Sequence, residues 1–101
     1  MKATLIVDFK IELEHHDGIR SAIFQIVAWQ VPKSGAYPEG IKYRAWLSES
    51  GKTVFGFDNH PPKGHHLHLG DTQIGYDYTG FTQLQKDIER LIIKEGFIYE
   101  I

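Results

Sequence analysis

The chain has 101 residues, a formal net charge of −2, 42% apolar residues and no cysteine. That length suits one domain, residues 1–101, with one core and no separate cofactor-binding unit. The composition excludes a disordered chain, the missing cysteines exclude a disulfide framework or thiolate chemistry, and the slight acidity excludes a histone-like coat for nucleic acid. The first ten residues hold only a three-residue apolar run before Asp8, too short for a signal-peptide core, and no stretch reaches the ~18 apolar residues of a membrane span. A cytoplasmic protein that makes no membrane contact is expected.

From Thr4 to Glu14 apolar and polar residues alternate strictly, with Leu5, Val7, Phe9, Ile11 and Leu13 on one face, which predicts a half-buried strand. His15 and His16 are expected to be exposed in the turn that follows, and Asp17-Gly18 predicts a tight hairpin. Residues 19–31 are apolar on both faces and read as a central strand covered on two sides. Two prolines and two glycines make residues 32–40 a long loop. A third strand runs from Ile41 to Leu47, with Lys42, Arg44 and Trp46 sharing a face. After a turn at residues 49–52, a fourth strand spans Thr53 to Asn59, and a fifth, interrupted near Gly70 and Gly75, spans His66 to Tyr78. One helix is predicted from about Thr82 to Glu95: Thr82 and Gln85 have capping-box spacing, Leu84, Ile88, Leu91 and Ile92 form an apolar stripe, and Gly96 ends it. The expected architecture is α+β, about five antiparallel strands followed by one C-terminal helix on one sheet face.

The chemistry points to residues 58–68, which hold four of the six histidines. Imidazole exchanges protons near neutrality and is also the commonest metal ligand. Strand alternation puts His66 and His68 on one face, with His65 and Leu67 on the other. RNA cleavage without a metal needs a base for the 2′-hydroxyl, an acid for the leaving 5′-oxygen and a cation at phosphorus. His66 and His68 suit the first two roles and Lys63 the third. Gly64 would let the backbone approach a phosphate, and Lys42 and Arg44 would position the nucleic-acid backbone. Residues 30–70 carry five Lys or Arg side chains against three carboxylates, in keeping with an anionic substrate. A metal site built from His66 and His68 with His60 or Asp58 is the alternative use of the same side chains. Asp58 and Asn59 also suit turn closure, and Tyr43, Trp46, Tyr76 and Tyr78 suit either base stacking or packing.

The string Gly56-Phe57-Asp58-Asn59, a short loop, then Lys63-Gly64-His65-His66-Leu67-His68 resembles the TumE family, small toxins of toxin–antitoxin pairs. That family's signature is an aromatic residue followed by Asp-Asn, a variable loop, and Lys-Gly-Asp-His-x-His. The strand residues 2–7, Trp29-x-Val31-Pro32, Lys42-Tyr43-Arg44 and the C-terminal helix occupy similar places, so the resemblance covers nearly the whole chain. Asp58, Asn59, Lys63, Gly64, His66 and His68 match the signature; His65 replaces an Asp. The resemblance implies an intracellular toxin with a helix-turn-helix antitoxin encoded next to it. The expected activity is a metal-independent ribonuclease with no cofactor, with His66, His68 and Lys63 catalytic and Asp58, Asn59, Gly64, Lys42 and Arg44 binding RNA. A homodimer is allowed. The competing expectations are a non-catalytic protein-interaction module and a metal-dependent hydrolase or nucleotidyl-transfer enzyme.

Overall fold

The computed structural model describes residues 2–100; Met1 and Ile101, the ends of the predicted domain, lie outside the described residues. Six strands form one antiparallel meander in sequence order: β1 (Thr4–Glu14), β2 (Ser21–Gln30), β3 (Ile41–Glu49), β4 (Lys52–Asp58), β5 (His66–Leu69) and β6 (Thr72–Gly75), followed by helix α1 (Phe81–Lys94). The α+β architecture agrees with expectation, with one strand more. The predicted fifth strand is two: Gly70, at φ 58°, and Asp71 turn the chain back so that Leu69 pairs with Thr72. A positive φ at the first turn position matches the twist of a two-residue hairpin, and glycine adopts it without strain.

Helix and sheet bury a shared core. Leu84, Ile88 and Ile92, spaced four residues apart, meet Ala22, Phe24, Ile26 and Ala28 of β2, Tyr43, Ala45 and Leu47 of β3, and Phe55 and Phe57 of β4. Each such large apolar side chain stabilises the fold by about 1.5–3 kcal/mol. The Tyr76 hydroxyl, donating to Asp87, ties the chain after β6 to the helix. The helix begins one residue earlier than predicted. Gly80 is its N-cap, at φ 124° and ψ 161°, no side chain caps it, and Thr82 lies within the first turn. At the other end Gly96, at φ 90°, terminates the helix as expected.

Four further expectations need correction. The turn between β1 and β2 is not tight: Glu14 pairs with Ser21, and residues 15–20 form a loop shaped by Asp17, whose carboxylate accepts from the N–H groups of Ile19 and Arg20 at 2.8 and 2.9 Å. His15 is not simply exposed. Its ring stands edge-on to buried Phe97, with centroids 5.1 Å apart, where Ile98 donates to the carbonyl of Glu14. β2 is covered on one face only, because the single helix reaches one side of the sheet. Its other face carries exposed Ile23 and half-buried Val27 and Trp29. A register shift between Leu5 and Val7 also moves Leu5 opposite Trp29, off the helix-covered face, so Leu5 and Ile6 are exposed beside them. No helix among the described residues is long and apolar enough to cross a membrane.

Candidate functional site

Cross-strand register on the uncovered sheet face assembles the site. Arg44 pairs with Asp58 across β3 and β4, and Asp58 pairs with His66 across β4 and β5, so these three form one row. In the next row Trp46 faces Gly56, Gly56 faces His68 and His68 faces Gln73. Because side chains alternate, Phe55, Phe57 and Leu67 enter the core while Asp58, His66 and His68 stay on the opposite side. Gly56 leaves no side chain between Trp46 and the His68 ring.

The three central residues converge on one point. Asp58 Oδ1 is 2.9 Å from His66 Nε2, and Asp58 Oδ2 is 3.4 Å from His68 Nε2. The two imidazole rings stand edge to face with centroids 4.7 Å apart. His66 Nδ1 lies 2.7 Å from the carbonyl of Gly64. A carbonyl can only accept, so Nδ1 carries a proton and donates it. A neutral His66 would then turn its Nε2 lone pair toward a carboxylate oxygen, an acceptor against an acceptor; a proton or a cation between them makes the contact attractive. The side chain of His66 is 8% exposed and that of His68 36%, so His68 is the more accessible of the two imidazoles. The N–H of His60 donates to Asp58 Oδ1 at 3.1 Å and helps hold the carboxylate in place.

A cleft of about 610 Å³ opens above this group. Lys42, Arg44, Lys63 and His60 line it together with Asp58, His66 and His68, so Asp58 is the one carboxylate among its lining residues. The guanidinium of Arg44 lies over the Trp46 ring, 4.3 Å from its centroid, which sets its direction by a cation–π contact. Lys63 Nζ donates to Gln73 Oε1 at 3.2 Å. No sequence pattern marks Gln73, since it faces His68 only once residues 66–75 fold into a hairpin. Asn59 is 3% exposed and holds backbone: its Oδ1 accepts from the N–H of Tyr43 at 3.0 Å and its Nδ2 donates to the carbonyl of Ile41 at 2.7 Å. Gly64, at φ 74°, meets the group through its carbonyl oxygen. The structure thus gathers Asp58, His66, His68, Lys63, Lys42 and Arg44 around one cleft, with Asn59 and Gly64 in its supporting loop.

Comparison with known protein families finds one described as Toxin TumE, matching residues 2–96. The chain belongs to this toxin family. No curated protein matches it, and no solved structure does. A toxin of this kind has an antitoxin as its expected partner.

His65 faces away from the cleft. Its Nδ1 lies 2.8 Å from the Tyr43 hydroxyl and its Nε2 2.9 Å from Glu39 Oε1. A carboxylate accepts only, so Nε2 donates to Glu39 and Nδ1 accepts a hydrogen bond from the Tyr43 hydroxyl, which satisfies a neutral ring on both sides. That bond from His65 holds the Glu39 carboxyl below the usual range. The ring also stacks on Tyr78, with centroids 4.3 Å apart and planes 7° from parallel. Burial pushes the phenols of Tyr43, Tyr76 and Tyr78 up, with the Asp87 bond adding to the effect on Tyr76. His65 is thus engaged apart from the Asp58–His66–His68 group. These tyrosines pack against the protein itself.

Proposed function

We propose that the chain is a cytoplasmic toxin that cleaves RNA without a metal, by histidine acid–base catalysis in the cleft above Asp58. The observation that carries this reading is a buried imidazole and an accessible one sharing a carboxylate on the floor of a cleft with cations around its walls. His68 takes the proton of a ribose 2′-hydroxyl, whose oxygen forms a new bond to phosphorus. The bond from phosphorus to the 5′-oxygen breaks, and the proton held between His66 Nε2 and Asp58 passes to that leaving oxygen. One product ends in a 2′,3′-cyclic phosphate and the other in a 5′-hydroxyl. Lys63 and Arg44 stabilise the charge that builds on the phosphate, and Lys42 holds the neighbouring backbone. Asn59 and Gly64 serve by positioning, the first through β3 and the second through the His66 ring.

Purified protein incubated with RNA in EDTA tests this. Cyclic-phosphate ends are expected, with cleavage falling about 10²–10⁴-fold in His68→Ala, the usual contribution of a positioned acid–base group. Products ending in a 3′-hydroxyl would contradict the chemistry. We infer that the antitoxin is a helix-turn-helix protein. A second reading, a toxin that acts only by binding another protein, draws on the uncovered face at Leu5, Ile6 and Ile23. Growth arrest that survives substitution of His68 and Asp58 would favour it.

A further inference from the structure

We propose that Asp58, His66 and His68 form a site for one divalent transition-metal ion of the zinc class, and that loading it switches the enzyme off. One donor atom from each of the three side chains lies within 4.8 Å of the other two, with His66 Nε2 2.9 Å from Asp58 Oδ1 and His68 Nε2 3.4 Å from Asp58 Oδ2. Nitrogen and oxygen donors held at about 2.0–2.2 Å from an ion in tetrahedral or octahedral positions stand roughly 3.0–3.4 Å apart, so each imidazole already sits near ligand spacing from one carboxylate oxygen, and the group closes on an ion by drawing the two rings together.

The surroundings are those of a ligand set. Protein-bound metals fix their histidines by giving the second ring N–H a carbonyl or carboxylate partner, and Gly64 does this for His66. The N–H of His60 does the same for the carboxylate. The 2.9 Å contact between His66 Nε2 and Asp58 Oδ1 needs a proton or a cation between the two atoms, and a metal ion can take the proton's place. Two imidazoles and one carboxylate favour zinc, nickel or cobalt over magnesium or calcium, which prefer all-oxygen shells. Three protein donors leave at least one position open, and it faces the cleft.

The regulatory consequence rests on the metal-free ribonuclease reading above. An ion on both Nε2 lone pairs occupies the positions through which His66 gives a proton and His68 is oriented by Asp58, so the loaded form lacks the acid–base pair. The full chain, stripped with chelator, is titrated with zinc chloride by isothermal calorimetry, and RNA cleavage is measured on the same samples. One ion per chain is expected with a dissociation constant below about 10 μM, weakened at least about 30-fold in His68→Ala and in Asp58→Asn and unchanged in His16→Ala. Circular dichroism checks that each variant is folded; the exposed His68 variant avoids the packing loss that His66→Ala would bring. Cleavage should fall more than about 10-fold with one equivalent of zinc and return with EDTA. Absence of binding at about 100 μM zinc, or binding unaltered in both ligand variants, would overturn the site. Zinc that binds but leaves cleavage unchanged or raises it would overturn the switch. Specific one-ion binding with no RNA cleavage in either condition would uphold the site and refute the ribonuclease reading instead.

Discussion

Asp58 does at residue scale what no other side chain in the cleft can: it joins a buried imidazole to an accessible one. Asn59, next along the chain, has a different task although it belongs to the same motif. Both ends of its amide bond backbone at positions 41 and 43 in a buried setting, so Asn59→Ala leaves a donor and an acceptor unpaired. We expect it to cost about 2–6 kcal/mol of stability, at about 1–3 kcal/mol for each orphaned group, read as a lower denaturant midpoint. A variant that lost activity at unchanged stability would instead assign Asn59 to the substrate. The tyrosines set the alkaline limit. Burial raises the folded-state values of Tyr43, Tyr76, Tyr78 and Tyr99 above the ordinary value near 10, while the unfolded chain titrates there. The stabilisation is complete below that point and is lost as the pH rises further, because the unfolded state releases protons that the folded state keeps. Urea midpoints should fall between pH 9.5 and pH 11, with phenolate absorbance lagging behind that of the unfolded chain. A midpoint constant across that range would contradict the burial seen here.

At the scale of elements, the helix shows what local pattern can and cannot specify. The stripe at Leu84, Ile88 and Ile92 could be read from spacing alone, since burial of one helix face leaves a four-residue repeat. Its start could not: Thr82 and Gln85 have the right separation for a capping box, yet Gly80 opens the helix and Phe81 packs against the core. Thr82→Ala should therefore change stability by less than about 0.5 kcal/mol, where loss of a working cap costs about 1 kcal/mol. Gly96→Ala is the contrast. Its φ of 90° is strained for alanine, and an added Cβ would meet the His15 ring, so thermal unfolding should report a loss of about 1–3 kcal/mol or more. Equal stability of the two variants would refute this account of the helix ends. Period-two alternation likewise separated His66 and His68 from His65, which the sheet then placed on opposite faces. It could not reveal the β5–β6 hairpin that brings Gln73 to Lys63, because four-residue strands carry too little pattern to separate from one irregular strand.

Across the whole molecule, the meander divides the uncovered sheet face into two regions. The β3–β6 end carries the charged cleft, and the β1–β2 end carries Leu5, Ile6, Ile23 and Trp29. Apolar residues on both faces of β2 suggested two-sided cover, but one helix cannot supply it; composition records what a strand could bury and not how many layers the chain has to bury it. Convergence of Asp58 with His66 and His68 was likewise open in the sequence, where Asp58 was one of two candidates for a third ligand and equally suited to a turn. Register decided it, by setting Asp58 directly opposite His66. If this carboxylate and its two imidazoles cleave RNA, the most direct measurement compares RNA cleavage in EDTA by the wild-type chain and a folded Asp58→Asn/His68→Ala variant. Cleavage by the wild type is expected, with at least a ~100-fold loss in the variant. Full activity in the variant, or a wild type inactive once chelator is present, would contradict it.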